Sequence, residues 1–173
     1  MNVLSTEEKV AQLFMIAVYS NKSEKYNSEI VKYVNKNKIG GVIFMQGGPV
    51  RQAILTNRLQ KEMDIPLMIG MDAEWGLSMR LDSTFAYPKA MVMGAVQNDQ
   101  LIYDFGCQMA EHLFDLGVHV SFAPVVDVNN NPNNPVINVR SFGEDKRMVS
   151  RKGLAYSVGL QDNNILAVAK HFP

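Results

Sequence analysis

Residues 38–45 read KIGGVIFM and are followed by QGGP at 46–49, so a short, nearly unbroken apolar run is closed by a turn. Such a run predicts a strand of a parallel sheet buried on both faces, because a strand with one wet face would alternate polar and apolar residues. The same form recurs on either side. MIAVY (15–19), IPLMIGM (65–71), VHVSFAPVV (118–126) and ILAVAKHF (165–172) read as further strands. Between them lie stretches with helical spacing. STEEKVAQLFM begins with a capping box, Ser5 and Glu8, and offers Val10, Leu13 and Phe14 as an apolar side in need of cover. A second helix is expected over about 27–37, and VRQAILTNRLQKEM (50–63) carries Ile54, Leu55 and Leu59 at helical intervals. The segments 98–117 and 145–163 complete the set.

Strand and helix alternating at this spacing is the sequence form of repeated crossover units, in an α/β fold. A doubly wound open sheet would usually mark its ligand with a glycine-rich first turn. Gly40, Gly41, Gly47 and Gly48 match neither G-x-G-x-x-G nor a P-loop. A closed (β/α)8 barrel needs eight strands and typically about 250 residues. The expectation is therefore an incomplete TIM-like barrel, comprising about its first five strands and their helices, and truncation is the expected reason that the chain ends at HFP.

The chain has 173 residues, 47% of them hydrophobic, and 17 basic residues balance 17 acidic ones. That suffices for one sizeable core. No basic patch is evident for a phosphate backbone to grip, so nucleic acid is not expected as a partner. No apolar run is long enough to cross a bilayer, and MNVLSTEEKV lacks the form of a signal peptide. Localisation stays open between the cytoplasm and an extracytoplasmic compartment. Cys107 is the single cysteine and sits in a helical apolar pattern, so no internal disulfide or thiolate metal cluster is expected. His112 and His119 have no metal-ligand spacing, and neither a metal nor a cofactor is expected.

In folds of this class ligands lie beyond the carboxyl ends of the strands. The polar residues there are Asp72 after PLMIGM, Asp127 after FAPVV, and Lys170 with His171 in ILAVAKHF; Arg140 stands in the long loop NNNPNNPVINVRSFGED. A charged side chain in an apolar strand is costly unless a partner or ligand compensates, which makes Lys170 and His171 the strongest candidates. Arg140 offers a fork to a carboxylate or to vicinal hydroxyls, the plain alternative being a salt bridge to Glu144 or Asp145. Glu74 and Trp75 follow Asp72 and are candidates for the pocket rim or its support; the indole suits either a sugar face or a barrel plug. Asp127 suits a supporting role through bonds to loop amides, with ligand contact as the alternative. Tyr19 and Gln46 end earlier strands and could rim the pocket.

GGVIFMQGG, IGMDAEWG, VSFAPVVDVNNNPNNPVINVRSFGED and AVAKHFP together resemble the amino-terminal catalytic domain of the family 3 glycoside hydrolases, most closely its bacterial β-N-acetylhexosaminidase branch. The resemblance covers nearly all of residues 1–173, read as the amino-terminal portion of that barrel domain. It implies a retaining exo-glycosidase that removes terminal β-linked N-acetylglucosamine, with a small carbohydrate or glycan end as partner. It also implies that Asp72 holds sugar hydroxyls, that Arg140, Lys170 and His171 surround the sugar in the −1 pocket, and that Asp127 supports its neighbouring loop. The family's acid/base histidine lies in a G-H-G loop continuing from KHFP, and its aspartate nucleophile further on. No catalytic residue is therefore expected within this chain, which by itself is expected to be inactive and to need the remaining part of the barrel. DAEWG shares features with the D-Q-E-G-G common in the hexosaminidase branch and with the D-A-V-H-G common in glucosidases. A β-glucosidase-type exo-glycosidase and a noncatalytic carbohydrate-binding module are the alternatives.

Overall fold

In a computed structural model, residues 4–171 are described; Phe172, the end of the last expected strand, and Pro173 lie outside the described residues. Five parallel strands form one sheet in the order of the chain: β1 (Met15–Tyr19), β2 (Gly41–Gln46), β3 (Met68–Met71), β4 (Val120–Ser121) and β5 (Leu166–Ala167). Each strand lies beside its predecessor, with no reversal of order. Crossovers of one hand between strands in that order put the connecting helices on one side, the winding of a barrel wall rather than of a doubly wound sheet.

The helices are α1 (Thr6–Ala11), α2 (Glu24–Asn37), α3 (Pro49–Glu62), the short α4 (Ala90–Gly94), α5 (Gln100–Asp115) and α6 (Lys146–Gln161). Their starts follow local chemistry. Ser5 accepts from the Glu8 amide at 3.2 Å while Glu8 accepts from the Ser5 amide at 2.8 Å, the reciprocal box expected from the sequence. Ser23 caps α2, which begins three residues before the expected start, and Asp145 caps α6. Pro49 at the first turn of α3 has no amide to leave unpaired.

Burial separates the two faces of the sheet. Val18, Val42, Phe44, Ile69 and Met71 point to the helices and form the core with Leu55, Leu59, Met109, Leu113 and Leu160. On the concave face Ala17 is exposed, Ile43 and Met45 are half-buried, and Met68 and Leu166 are 42% and 52% exposed. The expectation of strands buried on both faces is thus met on the helix side but only in places on the concave side, as at Gly70 and Val120, among the described residues. Likewise Val10, Leu13, Phe14 and Ile54, expected to be covered, are exposed, while Leu55 and Leu59 carry the inner face of α3.

β4 and β5 are shorter than the apolar runs that contain them. Pro124 supplies no amide, and the Ser121 and Ala123 carbonyls both receive the Val168 N–H, at 3.0 and 3.1 Å. Two residues thus face one donor, and the ladder is interrupted. Pairing resumes at a bridge between Val125 and Lys170, where Val126 N–H donates to the Lys170 carbonyl at 2.7 Å. This irregularity brings the Asp127 segment beside Lys170 and His171.

Candidate active site

The carboxyl ends of β3, β4 and β5 carry a continuous chain of charged and polar groups. Asp72, directly after β3, accepts from Lys170 Nζ at 2.8 Å through Oδ1 and from Arg80 through Oδ2. Lys170 also reaches Glu74 Oε1 at 2.7 Å. Glu74 takes the Arg140 fork with both oxygens, from Nε and Nη2 at 2.8 Å each. Arg140 Nη2 lies 3.3 Å from His171 Nε2, and the opposite ring nitrogen, Nδ1, lies 2.7 Å from Asp127 Oδ2.

Each member is held by its own element. Ala73, between the two acids, is buried, and its carbonyl accepts from the Tyr156 hydroxyl of α6 at 3.2 Å. Arg140 ends a 3-10 turn (Asn138–Arg140), and the next residue, Ser141, donates from Oγ to the Asp127 carbonyl at 2.6 Å and accepts from Gly143 N–H at 3.1 Å. Phe142 inserts into the core. The run RSFG therefore has a local logic: one residue pairs with Glu74, one ties the loop to the end of the preceding strand, and one anchors it.

Burial by itself disfavours ionisation of Asp72, but bonds from Lys170 and Arg80 outweigh it and hold the carboxyl below its ordinary range. For Glu74 burial again opposes, and Arg140 with Lys170 wins. Arg140 is shifted upward, first by its bond to Glu74. Removing a charge from water costs several kcal/mol, about what pairing returns, so such a network is a weak source of stability. Its use is geometric: it holds Lys170 and Arg140 with donors left over. Lys170 has three N–H groups and two carboxylate bonds, which leaves one for a ligand.

The structure brings Asp72, Glu74, Asp127, Arg140, Lys170 and His171 into one network. Arg140 pairs with Glu74 rather than with Glu144 or Asp145; Asp145 instead caps α6. The Asp127 carboxylate turns to His171 rather than to the amides of the asparagine-rich loop. Trp75 faces Lys89, whose Nζ lies 5.0 Å from the ring centroid. Tyr19 packs edge-on against Tyr26, and Gln46 is exposed at the end of β2. Arg80 is the member that sequence reasoning misses. The signal was present: an arginine inside GLSMRL faces the same desolvation argument that singles out Lys170. Among the described residues no group of three or more His, Cys, Asp or Glu side chains is placed to hold a metal, and no helix is long and apolar enough to cross a membrane.

A one-sided parallel wall with paired charges at its carboxyl rim defines an α/β protein of the barrel type. Residues 5–173 match the family described as Glycosyl hydrolase family 3 N terminal domain, and the chain belongs to that family. Beta-hexosaminidase A of Pseudoalteromonas piscicida is 35% identical over 158 residues, covering 84% of this chain and 26% of that protein. The Beta-N-acetylglucosaminidase/beta-glucosidase of Cellulomonas fimi is 28% identical over 171 residues, covering 98% of this chain and 29% of that protein. The solved family 3 β-N-acetylglucosaminidase of Paenibacillus sp. FPU-7 superposes with a TM-score of 0.87 at 33% identity, over 99% of this chain and 34% of that one. The chain thus spans between a quarter and about a third of the length of these relatives.

Proposed function

We propose that these residues form the sugar-holding part of a retaining exo-glycosidase acting on terminal β-linked N-acetylglucosamine, and that they do not complete the reaction by themselves. The observation that carries this reading is the network Arg80–Asp72–Lys170–Glu74–Arg140–His171–Asp127 at the strand ends. It presents carboxylate acceptors and spare cationic donors from a fixed frame, the array that adjacent ring hydroxyls require. Hydrogen bonds to such hydroxyls can strengthen as the sugar ring gains oxocarbenium character, and binding that is tighter in the transition state accelerates the reaction. In this reading Asp72, Lys170, Arg140 and His171 touch the sugar, and Glu74, the more buried of the two acids with its side chain 4% exposed against 14% for Asp72, holds Lys170 and Arg140 in place. The acid/base and nucleophilic groups come from other residues of the full protein. Hexosaminidase is favoured by the names of the relatives from P. piscicida and Paenibacillus. A β-glucosidase activity is the second reading, favoured by the double name of the C. fimi relative and by the mixed form of DAEWG.

The test is hydrolysis of aryl β-N-acetylglucosaminide and aryl β-glucoside by the longest natural chain carrying this sequence, beside residues 1–173 alone. Preferential cleavage of the N-acetylglucosaminide by the long chain and none by the short one is expected. Preference for the glucoside would transfer the assignment to the second reading. Turnover by residues 1–173 that Asp72→Ala abolishes would overturn the division of labour. Calorimetric binding of N-acetylglucosamine without hydrolysis by the long chain would leave a noncatalytic binding module.

A further inference from the structure

Asp127 Oδ2 receives two N–H groups of the same residue: the backbone amide of His171 at 3.1 Å and ring Nδ1 at 2.7 Å. A carboxylate only accepts, so Nδ1 must carry a proton. The other ring nitrogen, Nε2, faces Arg140 Nη2 at 3.3 Å. A guanidinium only donates, and a proton on Nε2 would set two N–H groups against each other. Both neighbours therefore select one form of the ring, with Nδ1 protonated and Nε2 bearing a free lone pair. Asp127 is itself held, because its carbonyl accepts from Ser141 Oγ at 2.6 Å.

The contact between Arg140 Nη2 and His171 Nε2 is longer than the usual 2.9–3.0 Å of a protein hydrogen bond, and the His171 side chain is 44% exposed. A donor and an acceptor side by side at that spacing match a hydroxyl, which accepts with its oxygen and donates with its proton. We propose that Asp127 is a positioning residue for this slot: by accepting both N–H groups of His171 it keeps Nε2 as an acceptor, so that Arg140 and His171 together take one hydroxyl of the ligand in a single orientation. The inference rests on the reading of the network as a sugar pocket. It assigns to Asp127 control of which hydroxyl orientation is accepted, without contact with the sugar.

The test uses the longest natural chain and its Asp127→Ala and Asp127→Asn variants. Nitrogen-15 NMR of the His171 ring, assigned with a His171→Gln variant, is expected to show a protonated Nδ1 and a bare Nε2; the reverse tautomer overturns the proposal, whether or not any sugar binds. Affinities for N-acetylglucosamine and for its monodeoxyfluoro analogues give the second readout, because fluorine cannot donate a proton. In the parent one ring position should lose about tenfold in affinity on replacement of OH by F. Asp127→Ala should reduce that penalty to about threefold or less and leave the other positions unchanged, whereas Asp127→Asn, whose amide oxygen can accept both N–H groups, should keep the parental pattern. Equal weakening at every position in Asp127→Ala would mean a merely structural role and overturn the proposal. If the tautomer is as expected but neither N-acetylglucosamine nor any analogue binds the parent, the sugar reading and the hydroxyl slot fall together, and the control of the ring by Asp127 stands on the NMR result.

Discussion

Glu74 has a side chain only 4% exposed, and both of its oxygens are occupied by Arg140 and Lys170. Glu74→Ala would leave Arg140 with no carboxylate in hydrogen-bonding contact and Lys170 with Asp72 alone, which is already shared with Arg80. Truncating one partner of a buried pair costs about 3–5 kcal/mol, so this variant should show a large loss in urea midpoint. Glu74→Gln keeps two polar atoms in place and should lose less, about 1–3 kcal/mol, while still weakening sugar affinity because Arg140 and Lys170 are no longer held by charge. Parental stability in Glu74→Gln would argue against the charge pairing. The acid limb follows from the same groups. Asp72 and Glu74 have folded-state pKa values below their ordinary values of 3.8 and 4.5. Their stabilisation is therefore complete above those ordinary values and is lost as pH falls through the depressed ones. Unfolding followed from pH 6 downward should steepen below about pH 4.5 in the parent, and the double variant Asp72→Asn, Glu74→Gln should flatten that limb.

At the scale of elements, α5 and α6 make the closest helix pairing. A Cβ on Gly159 would lie 2.3 Å from the Tyr103 carbonyl, and one on Gly106 would lie 2.5 Å from the Tyr156 carbonyl, so the two backbones touch where these glycines meet. Tyr156 is fully buried at this crossing, stacks on Phe105 and sends its hydroxyl to the Ala73 carbonyl between the two site acids. Gly159→Ala should force the helices apart, lowering stability by about 1–3 kcal/mol and loosening the loop of Asp72 and Glu74 with it. Thermal melting and sugar affinity measure the two effects; a variant that melts like the parent would show that the crossing has room. Tyr156→Phe removes one neutral hydrogen bond and should cost about 1 kcal/mol. Much at this scale is legible in the sequence. The box at Ser5 and Glu8, the span of β1 and the start of α6 follow from caps and periodicity. The 3-10 turn Leu77–Met79 and α4 are not legible, because elements so short have no periodicity to read and form only against their neighbours.

For the whole molecule, the decisive feature is a sheet with one covered face. Met68 and Leu166 stand exposed on the concave side, and β1 and β5 are unpaired edges among the described residues. Open edges and an uncovered apolar face favour self-association. Residues 1–173 in isolation should therefore melt broadly and associate with rising concentration in sedimentation; a sharp, reversible, monomeric transition would contradict this.

Arg140 stood out from sequence as a guanidinium fork in the long loop after Asp127, while Asp72, Asp127, Lys170 and His171 were visible as site candidates because the cost of placing charge at the end of an apolar run is local and needs no fold to estimate. The alternation of strands and helices was visible for the same reason, since burial imposes its period on the chain itself. Which charge meets which was decided only in three dimensions. Glu74 joins Arg140 across 66 positions and Lys170 joins Asp72 across 98, while Arg140 passes over the acids nearest to it in sequence. Such pairings depend on where loops return after crossing the sheet, and the protonated nitrogen of His171 depends in turn on those pairings. Composition and spacing can announce that a strand end is charged; the partner of each charge is a property of the folded wall.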